Sequence, residues 1–307
     1  MKCLIAVIGP TAVGKSKLAL RLAQDFNGEI INSDSRQVYR FMDIGTAKPS
    51  KVDRSIVPHH LIDIINPDEP FSLALYKDLA TKKIDDLHQR GKLPLLVGGS
   101  GLYIRSIVEG WMIPEVPPDV EFRRRLEQKA GEKGVSALFE ELRKVDPIAS
   151  TKIMPTNLRR IIRALEIYQA TGQPPSQLWR KQPPSSPMLI IGLTADRQAL
   201  YTMIDARVDE MLTSGLVDEV KELMAKGYSL NLPSMSGIGY HQTGLFLQGK
   251  TTLPQAVQQI KYETHQFARR QYTWFHLDDA RINWFAVYGN IQEPINSLVE
   301  AFLNQIE

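Results

Sequence analysis

The residues best suited to chemistry form a glycine-containing segment near the N-terminus. It reads Gly9-Pro10-Thr11-Ala12-Val13-Gly14-Lys15-Ser16, which has the G-x-x-x-x-G-K-S spacing of a phosphate-binding loop. Glycines let several backbone amides point at one anion, the following helix adds partial positive charge, and Lys15 adds a full charge. The Ser16 hydroxyl is a ligand for Mg²⁺. We predict that these residues bind a phosphate compound, and the motif leaves open whether it is a nucleotide or a prenyl diphosphate.

Two further polar segments are expected at the same crevice. Asp34 follows a short apolar run, and Ser100 follows another run that ends in Gly98-Gly99. In a doubly wound sheet the carboxyl ends of the strands border the ligand crevice, so both side chains are expected beside the phosphate loop. The alternative is structural, because aspartate and serine also cap helices.

These residues need a scaffold, and the chain alternates short apolar runs with helical patterns. Strands are predicted at 3–8, 29–32, 61–65, 93–97, 188–193 and 282–287. Helices are predicted at 15–26, 72–90, 196–214 and 253–275. This order predicts an α/β fold, with a P-loop NTPase-like parallel sheet covered by helices on both faces.

The pattern changes after Pro117-Pro118, where several helical stretches follow one another without a convincing strand. The last of them has Thr156 as its predicted cap and Gly172 as its predicted end. A proline-rich stretch closes the region. We therefore predict a catalytic core of residues 1–116 and 188–307, interrupted by an all-α insertion at 117–187.

Charge is concentrated in this insertion. The 307 residues include 37 basic and 34 acidic side chains, for a net charge of +3. Residues 121–163 alone hold 11 basic and 6 acidic residues, so this segment carries +5 and the remainder −2. The excess favours a polyanionic partner, while a solvated helical face remains the alternative.

Cysteine content and hydropathy exclude other classes. Cys3 is the single cysteine, which excludes an intrachain disulfide and a cysteine-rich zinc site. No apolar run approaches the roughly 18 residues that a membrane span requires. We expect a cytoplasmic protein with no membrane association.

The motifs resemble, in order, those of the bacterial tRNA dimethylallyltransferase family. The resemblance covers nearly the whole chain and rests on residues 9–16, 34–37, 44–49, 59–63, 98–103, 238–240 and 270–274. It implies transfer of a dimethylallyl group from dimethylallyl diphosphate to the N6 amine of the adenosine 3′-adjacent to the anticodon. The implied partners are Mg²⁺ and the tRNA anticodon stem-loop, with no obligate protein partner, so a monomer is expected.

The resemblance also implies a role for particular residues. Asp34 matches the general base, Ser100 stands where the family commonly has threonine, and Arg207 matches an arginine that stabilises the diphosphate. The implied tRNA contacts are Asp34, Ser35, Arg36, Gln37, Arg123, Arg159, Arg160, Ile161, Ile162, Arg163, Gly239, Tyr240 and His241.

Some positions depart from the family pattern, and two other functions stay open. Met203, His241 and His265 stand where related sequences often have a cation. Lys261, His265 and Arg269 recur every four residues and form either an RNA-facing or a solvated ridge. The rival functions are a P-loop kinase of a small metabolite and an RNA-binding protein with a structural nucleotide. Both would still use the phosphate loop.

Overall fold

The computed structural model describes residues 2–306, which divide into two compact units. One unit runs up to Val108 and resumes at Pro184, and the other is Glu109–Pro183. Each unit has a hydrophobic core of its own. The roles predicted for the two segments stay predictions at this point.

The first unit is built on a parallel sheet. Within the described residues its strands are β1 Leu4–Ile8, β2 Gly28–Asn32, β3 His59–His60, β4 Leu93–Val97, β5 Met188–Thr194 and β6 Ile282–Ala286. Their order is β3-β2-β4-β1-β5-β6, and all neighbouring pairs are parallel. Strands β1, β2 and β4, which are neighbours inside the sheet, are buried throughout, as expected of parallel strands covered on both faces. The predicted fold class is confirmed.

Some of the helices pack around this sheet, and the others form the second unit. In chain order they are α1 Lys15–Asp25, α2 Lys51–Ile56, α3 Leu73–Gln89, α4 Gly101–Val108, α5 Val120–Lys133, α6 Val135–Val145, α7 Pro147–Lys152, α8 Leu158–Thr171, α9 Pro175–Leu178, α10 Arg197–Thr213, α11 Leu216–Ala225, α12 Tyr240–Leu247, α13 Leu253–Gln271 and α14 Gln292–Asn304. Helices α5 to α9 belong to the second unit.

The side chains of β1 show how the core is layered. Ile5 and Val7 pack into a cluster that includes Leu22 of α1. Leu4, Ala6 and Ile8 point to the opposite face, where the cluster includes residues of α3 and α4. Successive side chains of a strand alternate between faces, so one short strand supplies both layers. This packing holds the C-terminal end of β1, and therefore the phosphate loop, in place.

The strand predicted at 61–65 is wrong. The extended residues are His59 and His60, and the chain then turns, with Leu61 at φ 60° and Asp63 at φ 56°. Left-handed backbone cannot continue a strand. Ion pairs to Asp63 from Lys48 and Arg54, both 2.6 Å long, stabilise the turn. The apolar pattern at 61–65 reflects the burial of Leu61 and does not indicate an extended backbone.

Helix ends differ in smaller ways. Helix α8 begins after Asn157, whose side chain accepts a hydrogen bond from the Arg160 amide at 3.2 Å, so the predicted cap at Thr156 is wrong. Its end at Gly172, with φ 68°, is as predicted. Helix α13 ends at Gln271, four residues earlier than predicted.

Candidate active site

The phosphate loop leaves the C-terminal end of β1 with an unusual backbone. Gly9, Ala12 and Gly14 all have positive φ, at 138°, 72° and 85°. Such turns bring successive backbone amides to one side of the loop, which is the arrangement that binds anions. Gly9 also lies close to β5, where an added Cβ would be 2.3 Å from the Leu193 carbonyl oxygen. A side chain at Gly9 would therefore displace the loop from the sheet.

Lys15 is the first residue of α1, and its charged neighbours are Arg207 and Asp34. Its Nζ donates a hydrogen bond to the Pro10 carbonyl at 2.5 Å. Burial, with a smaller contribution from the Arg207 guanidinium, lowers the pKa of Lys15 to about 7, and Asp34 opposes the shift. The ammonium group is therefore poised between its charged and neutral forms near neutral pH.

Two cavities meet beside this loop, both within the first unit. The first has a volume of about 840 Å³ and the second about 610 Å³. The residues that line both are Thr11, Ala12, Asp34, Gly99, Arg207, Phe267 and Gln271. Lys15 and Ser16 line the first cavity only, and Ser100 lines the second. The phosphate loop and the predicted base therefore lie along one continuous crevice.

Asp34 follows the C-terminal end of β2 in a tightly bonded turn. Its Oδ1 accepts a hydrogen bond from the Arg36 amide at 2.8 Å, and its own amide donates to Asn32 Oδ1 at 2.9 Å. No helix starts here, so Asp34 does not act as a helix cap. Because the backbone on both sides is held, the carboxylate has a defined position at the junction of the two cavities.

Ser100 connects two strand ends. Its Oγ accepts a hydrogen bond from the Ser35 amide at 3.0 Å, and its amide donates to the Ser33 carbonyl at 3.2 Å. Gly98 makes this approach possible, since a Cβ there would be 2.2 Å from the Ser33 carbonyl oxygen. The Ser100 hydroxyl thus helps to hold the backbone that follows Asp34.

Arg207 reaches the phosphate loop from α10. Its Nη1 donates to Thr11 Oγ1 at 3.3 Å. Burial lowers the pKa of Arg207, and the nearby Asp34 and Glu210 oppose that shift. A guanidinium remains charged in proteins, so the crevice contains a cation that faces the loop.

Gln271 is a site residue whose role the sequence analysis did not assign. Its Oε1 accepts a hydrogen bond from the Thr11 amide at 2.8 Å, and its Nε2 donates to the Gly99 carbonyl at 2.9 Å. The side chain is buried, with 3% of its surface exposed. One amide therefore links the phosphate loop to the β4–α4 turn. Its position in the motif at 270–274 was the sequence signal that could have identified Gln271 as a site residue. A motif does not reveal the hydrogen-bond partners of its residues.

Arg36 and Gln37 use their side chains within the protein. Arg36 Nη1 donates to the Pro233 carbonyl at 2.5 Å and to the Ser234 carbonyl at 3.2 Å. Gln37 Nε2 donates to the carbonyls of residues 46 and 47 at 3.1 and 3.2 Å. Both side chains hold loops that border the cavities, while Ser35 and Arg36 also line the second cavity.

The segment Gly239-Tyr240-His241 starts α12. Gly239 has φ 95° and precedes the helix, and Tyr240 is buried with 1% of its surface exposed. The Tyr240 hydroxyl donates to Glu219 Oε1 at 2.6 Å. Gly239 and Tyr240 line the second cavity, and His241 is partly exposed.

The predicted tRNA contacts of the second unit fall into three groups. Arg159 and Arg160 are exposed in the first turn of α8. Ile161 and Ile162 are 0% and 5% exposed and pack in the core of the unit, so their side chains serve packing and are shielded from a ligand. The third group is Arg123 and Arg163, which are bound to a buried carboxylate.

That carboxylate is Glu166, which is 2% exposed. Arg123 donates to both of its oxygens, at 2.7 and 2.8 Å, and Arg163 donates to Oε2 at 2.5 Å. Burial would raise the pKa of Glu166, but the hydrogen bonds from the two arginines bring it below its usual value. Arg123 and Arg163 therefore have a structural role within the unit.

Two of the three ridge residues on α13, Lys261 and His265, bind acidic side chains of α10. Lys261 binds Asp209 at 2.8 Å, and His265 binds Asp205 at 2.8 Å while stacking on Tyr201 with ring centroids 4.0 Å apart. These contacts support a helix-to-helix role for Lys261 and His265. Met203 packs against the core and lines the first cavity.

In the part of the chain that the structure describes, no helix is both long and apolar enough to span a membrane. The same residues contain no group of three or more His, Cys, Asp or Glu side chains that could hold a metal ion.

Comparison with known proteins identifies the family to which the chain is similar. A family model described as IPP transferase matches residues 37–278. A tRNA dimethylallyltransferase of Roseiflexus sp. is 54% identical over 301 residues, covering 98% of this chain and 99% of that protein. One from Roseiflexus castenholzii is 55% identical and covers 89% of each.

Solved structures agree. The full-length tRNA isopentenylpyrophosphate transferase of Bacillus halodurans superposes with a TM-score of 0.73 at 41% identity, covering 99% of this chain and 98% of that one. A eukaryotic dimethylallyltransferase described as acting on tRNA has a TM-score of 0.84 at 28% identity, covering 99% and 80%. The phosphate loop, the crevice and these likenesses together show that the chain belongs to the IPP transferase family.

Proposed function

We propose that this protein is a tRNA dimethylallyltransferase. It transfers the dimethylallyl group of dimethylallyl diphosphate to the N6 amine of the adenosine 3′-adjacent to the anticodon, giving N6-isopentenyladenosine. The observation that carries the proposal is the placement of Asp34 where the phosphate-loop cavity meets a second cavity, in a chain of the IPP transferase family.

The two cavities suit the two substrates. The first contains the phosphate loop with Lys15 and Ser16, so it would hold the diphosphate. The second would receive the adenine, which must leave its stack to enter a pocket. Asp34 and Arg207 border both, which would bring the allylic carbon and the amine together beside them.

The proposed reaction forms one bond and breaks one. The adenosine N6 bonds to the allylic carbon as the bond from that carbon to the diphosphate oxygen breaks, and pyrophosphate leaves with the bonding electrons. The N6 proton passes to the Asp34 carboxylate. Because the amine lone pair is delocalised into the ring, a positioned base is worth about 10²- to 10⁴-fold in rate.

Negative charge grows on the leaving diphosphate. Lys15, Arg207 and the backbone amides of residues 12–16 would face the position where this charge develops. Such preorganised donors stabilise the transition state more than the ground state. Gln271 accepts a hydrogen bond from the Thr11 amide and so helps to fix the shape of the loop.

The residues present would supply few of the ligands that Mg²⁺ needs. Ser16 lines the first cavity and offers an oxygen ligand, and no cluster of three acidic or histidine ligands exists among residues 2–306. Mg²⁺ commonly binds through one or two protein oxygens together with substrate phosphates and water. Ser16 would therefore hold the ion with the diphosphate, and the ion would neutralise charge on the leaving group.

The second unit would contribute to tRNA binding. Arg159 and Arg160 are exposed on a segment with excess positive charge, which suits contacts with phosphates. The proposed chemical step uses residues of the first unit alone, so a monomer in the cytoplasm would suffice to carry it out.

A direct assay tests the proposal. The protein is incubated with unmodified tRNA, dimethylallyl diphosphate and Mg²⁺, and the anticodon fragment is then analysed by mass spectrometry. The expected result is the mass gain of one five-carbon prenyl unit on the adenosine beside the anticodon. An unchanged tRNA mass, together with turnover of ATP on a small acceptor, would overturn the proposal in favour of a kinase.

A further inference from the structure

Glu219, in the first turn of α11, accepts an unusual set of hydrogen bonds. Its Oε2 accepts from the amides of Asp43 and Ile44 at 2.9 and 2.7 Å. Its Oε1 accepts from the Gly45 amide at 3.1 Å and from the Tyr240 hydroxyl at 2.6 Å. Three consecutive backbone amides and one phenol thus converge on a single carboxylate.

The groups that Glu219 holds form part of the wall of the second cavity. Gly45 and Tyr240 both line the second cavity, whereas Glu219 is not among the described residues that line either cavity. Gly45 packs directly on the Tyr240 ring, since a Cβ at Gly45 would lie 2.5 Å from Tyr240 Cε2. The carboxylate therefore fastens the loop to α12 at a point where the two are already in contact.

The remainder of the same loop has other anchors. Lys48, with 1% of its side chain exposed, pairs with Asp43 and Asp63 at 2.5 and 2.6 Å. Gln37 holds the carbonyls of residues 46 and 47. Residues 47–49 line the first cavity. Loss of the Glu219 carboxylate should consequently disturb the second cavity more than the first.

The Tyr240 phenol stays protonated, which preserves its hydrogen bond to Glu219. Burial raises the pKa of Tyr240 well above its ordinary value, and the nearby Glu219 carboxylate raises it further. The phenol remains a donor across the physiological pH range, so the contact persists.

We infer that Glu219 is a positioning residue for the tRNA substrate, shaping the adenosine cavity through the backbone of residues 43–45 and through Tyr240. The inference rests on the proposed function, because it assumes that the second cavity receives the adenosine of tRNA. Glu219 itself does not touch the substrate. It acts by holding in place the surfaces that do.

The test compares Glu219→Gln with Glu222→Gln, an exposed matched control on the same helix. Glutamine has the same shape, but its NH₂ group would face amides that themselves donate. Loss of hydrogen bonds of this kind corresponds to roughly a tenfold rise in KM for tRNA. The dissociation constant for dimethylallyl diphosphate, measured by calorimetry without tRNA, should change by less than about twofold on the same grounds. The control should match the parent in both.

A second variant addresses the same wall without altering the carboxylate. Gly45→Ala pushes the loop away from Tyr240, and it should reproduce the rise in KM for tRNA with unchanged diphosphate binding. Thermal unfolding of both variants separates local disturbance from loss of fold, and Gly45→Ala supplies the decisive measurement where Glu219→Gln is unstable.

The outcomes are distinguishable. Absence of prenyl transfer by the parent protein would refute the proposed function. Transfer by the parent, with an unchanged KM for tRNA in Glu219→Gln and Gly45→Ala, would refute the positioning role alone. Equal weakening of diphosphate and tRNA binding would also refute it, since the effect would then be general.

Discussion

Gln271 and Thr11 lie 260 positions apart, yet the Gln271 side chain accepts a hydrogen bond from the Thr11 amide at 2.8 Å. The same side chain donates to the Gly99 carbonyl. Its amide therefore joins two loops that border both cavities. Since one end must accept and the other must donate, this position calls for an amide rather than a carboxylate.

Replacing Gln271 by glutamate tests this requirement. The carboxylate would still accept from Thr11, but its second oxygen would face the Gly99 carbonyl, and its charge would oppose a bound diphosphate. An unsatisfied buried polar group costs about 1–3 kcal/mol, so kcat/KM should fall about 10- to 100-fold. Steady-state kinetics of prenyl transfer measure the effect, with Gln258→Glu on the exposed face of α13 as the control. Parental kinetics in Gln271→Glu would contradict the linking role.

The assignment of Asp34 as general base predicts a separation of binding from chemistry. Asp34→Asn keeps an oxygen to accept from the Arg36 amide, so the turn should persist. The variant loses the base, and single-turnover transfer should slow by about 10²- to 10⁴-fold. Binding of tRNA, measured by filter retention, should stay near the parental value. Asp34→Ala, which also loses the turn contact, should be equally slow. Transfer at the parental rate in either variant would refute the assignment.

Lys15 predicts a pH dependence of diphosphate binding. Its pKa in the unliganded protein is lowered to about 7 by burial, the adjacent Arg207 contributing. A bound diphosphate favours the charged form, so binding above pH 7 must take up a proton, and the affinity should fall as the pH rises. Below pH 7 Lys15 is already protonated, and this contribution should level off.

Calorimetry with inorganic pyrophosphate in buffers of different ionisation enthalpy measures that proton uptake. Lys15→Met removes the titrating group, so the variant should bind more weakly and should lose the uptake above pH 7. Equal proton uptake in the parent and in Lys15→Met would show that another group is responsible.

The arginines of the second unit should separate into two classes. Arg159→Ala and Arg160→Ala remove exposed charges, so each should weaken tRNA binding and reduce the slope of log K against log salt by about 1. Their thermal unfolding should match that of the parent. Electrophoretic mobility shifts over a range of salt concentrations measure both quantities.

Arg123→Ala should behave differently, because it leaves the buried Glu166 with fewer partners. Arg163 and the Asp119 amide still bind that carboxylate, so the expected destabilisation is about 1–3 kcal/mol. Denaturant unfolding measures it. Unaltered stability in Arg123→Ala would mean that the pair contributes little to the fold.

Much of this protein was determined by local sequence. The phosphate loop, the alternation of strands and helices, and the place of Asp34 after β2 depend on residues close together in the chain. Spacing, glycine content and periodicity report such features directly. The same patterns misplaced the third strand, because ion pairs of Asp63 with Lys48 and Arg54 stabilise a turn that apolar periodicity does not reveal.

Tertiary structure alone decided how side chains of similar appearance are used. Arg123 and Arg159 look alike in sequence, but only Arg123 meets a buried carboxylate. Gln271 and Glu219 appear as ordinary helical polar residues until the fold brings them to the loops at Thr11 and Gly45. The physical reason is that a hydrogen bond or ion pair depends on distance in space, and partners that lie 43 to 260 positions apart leave no local pattern in the chain.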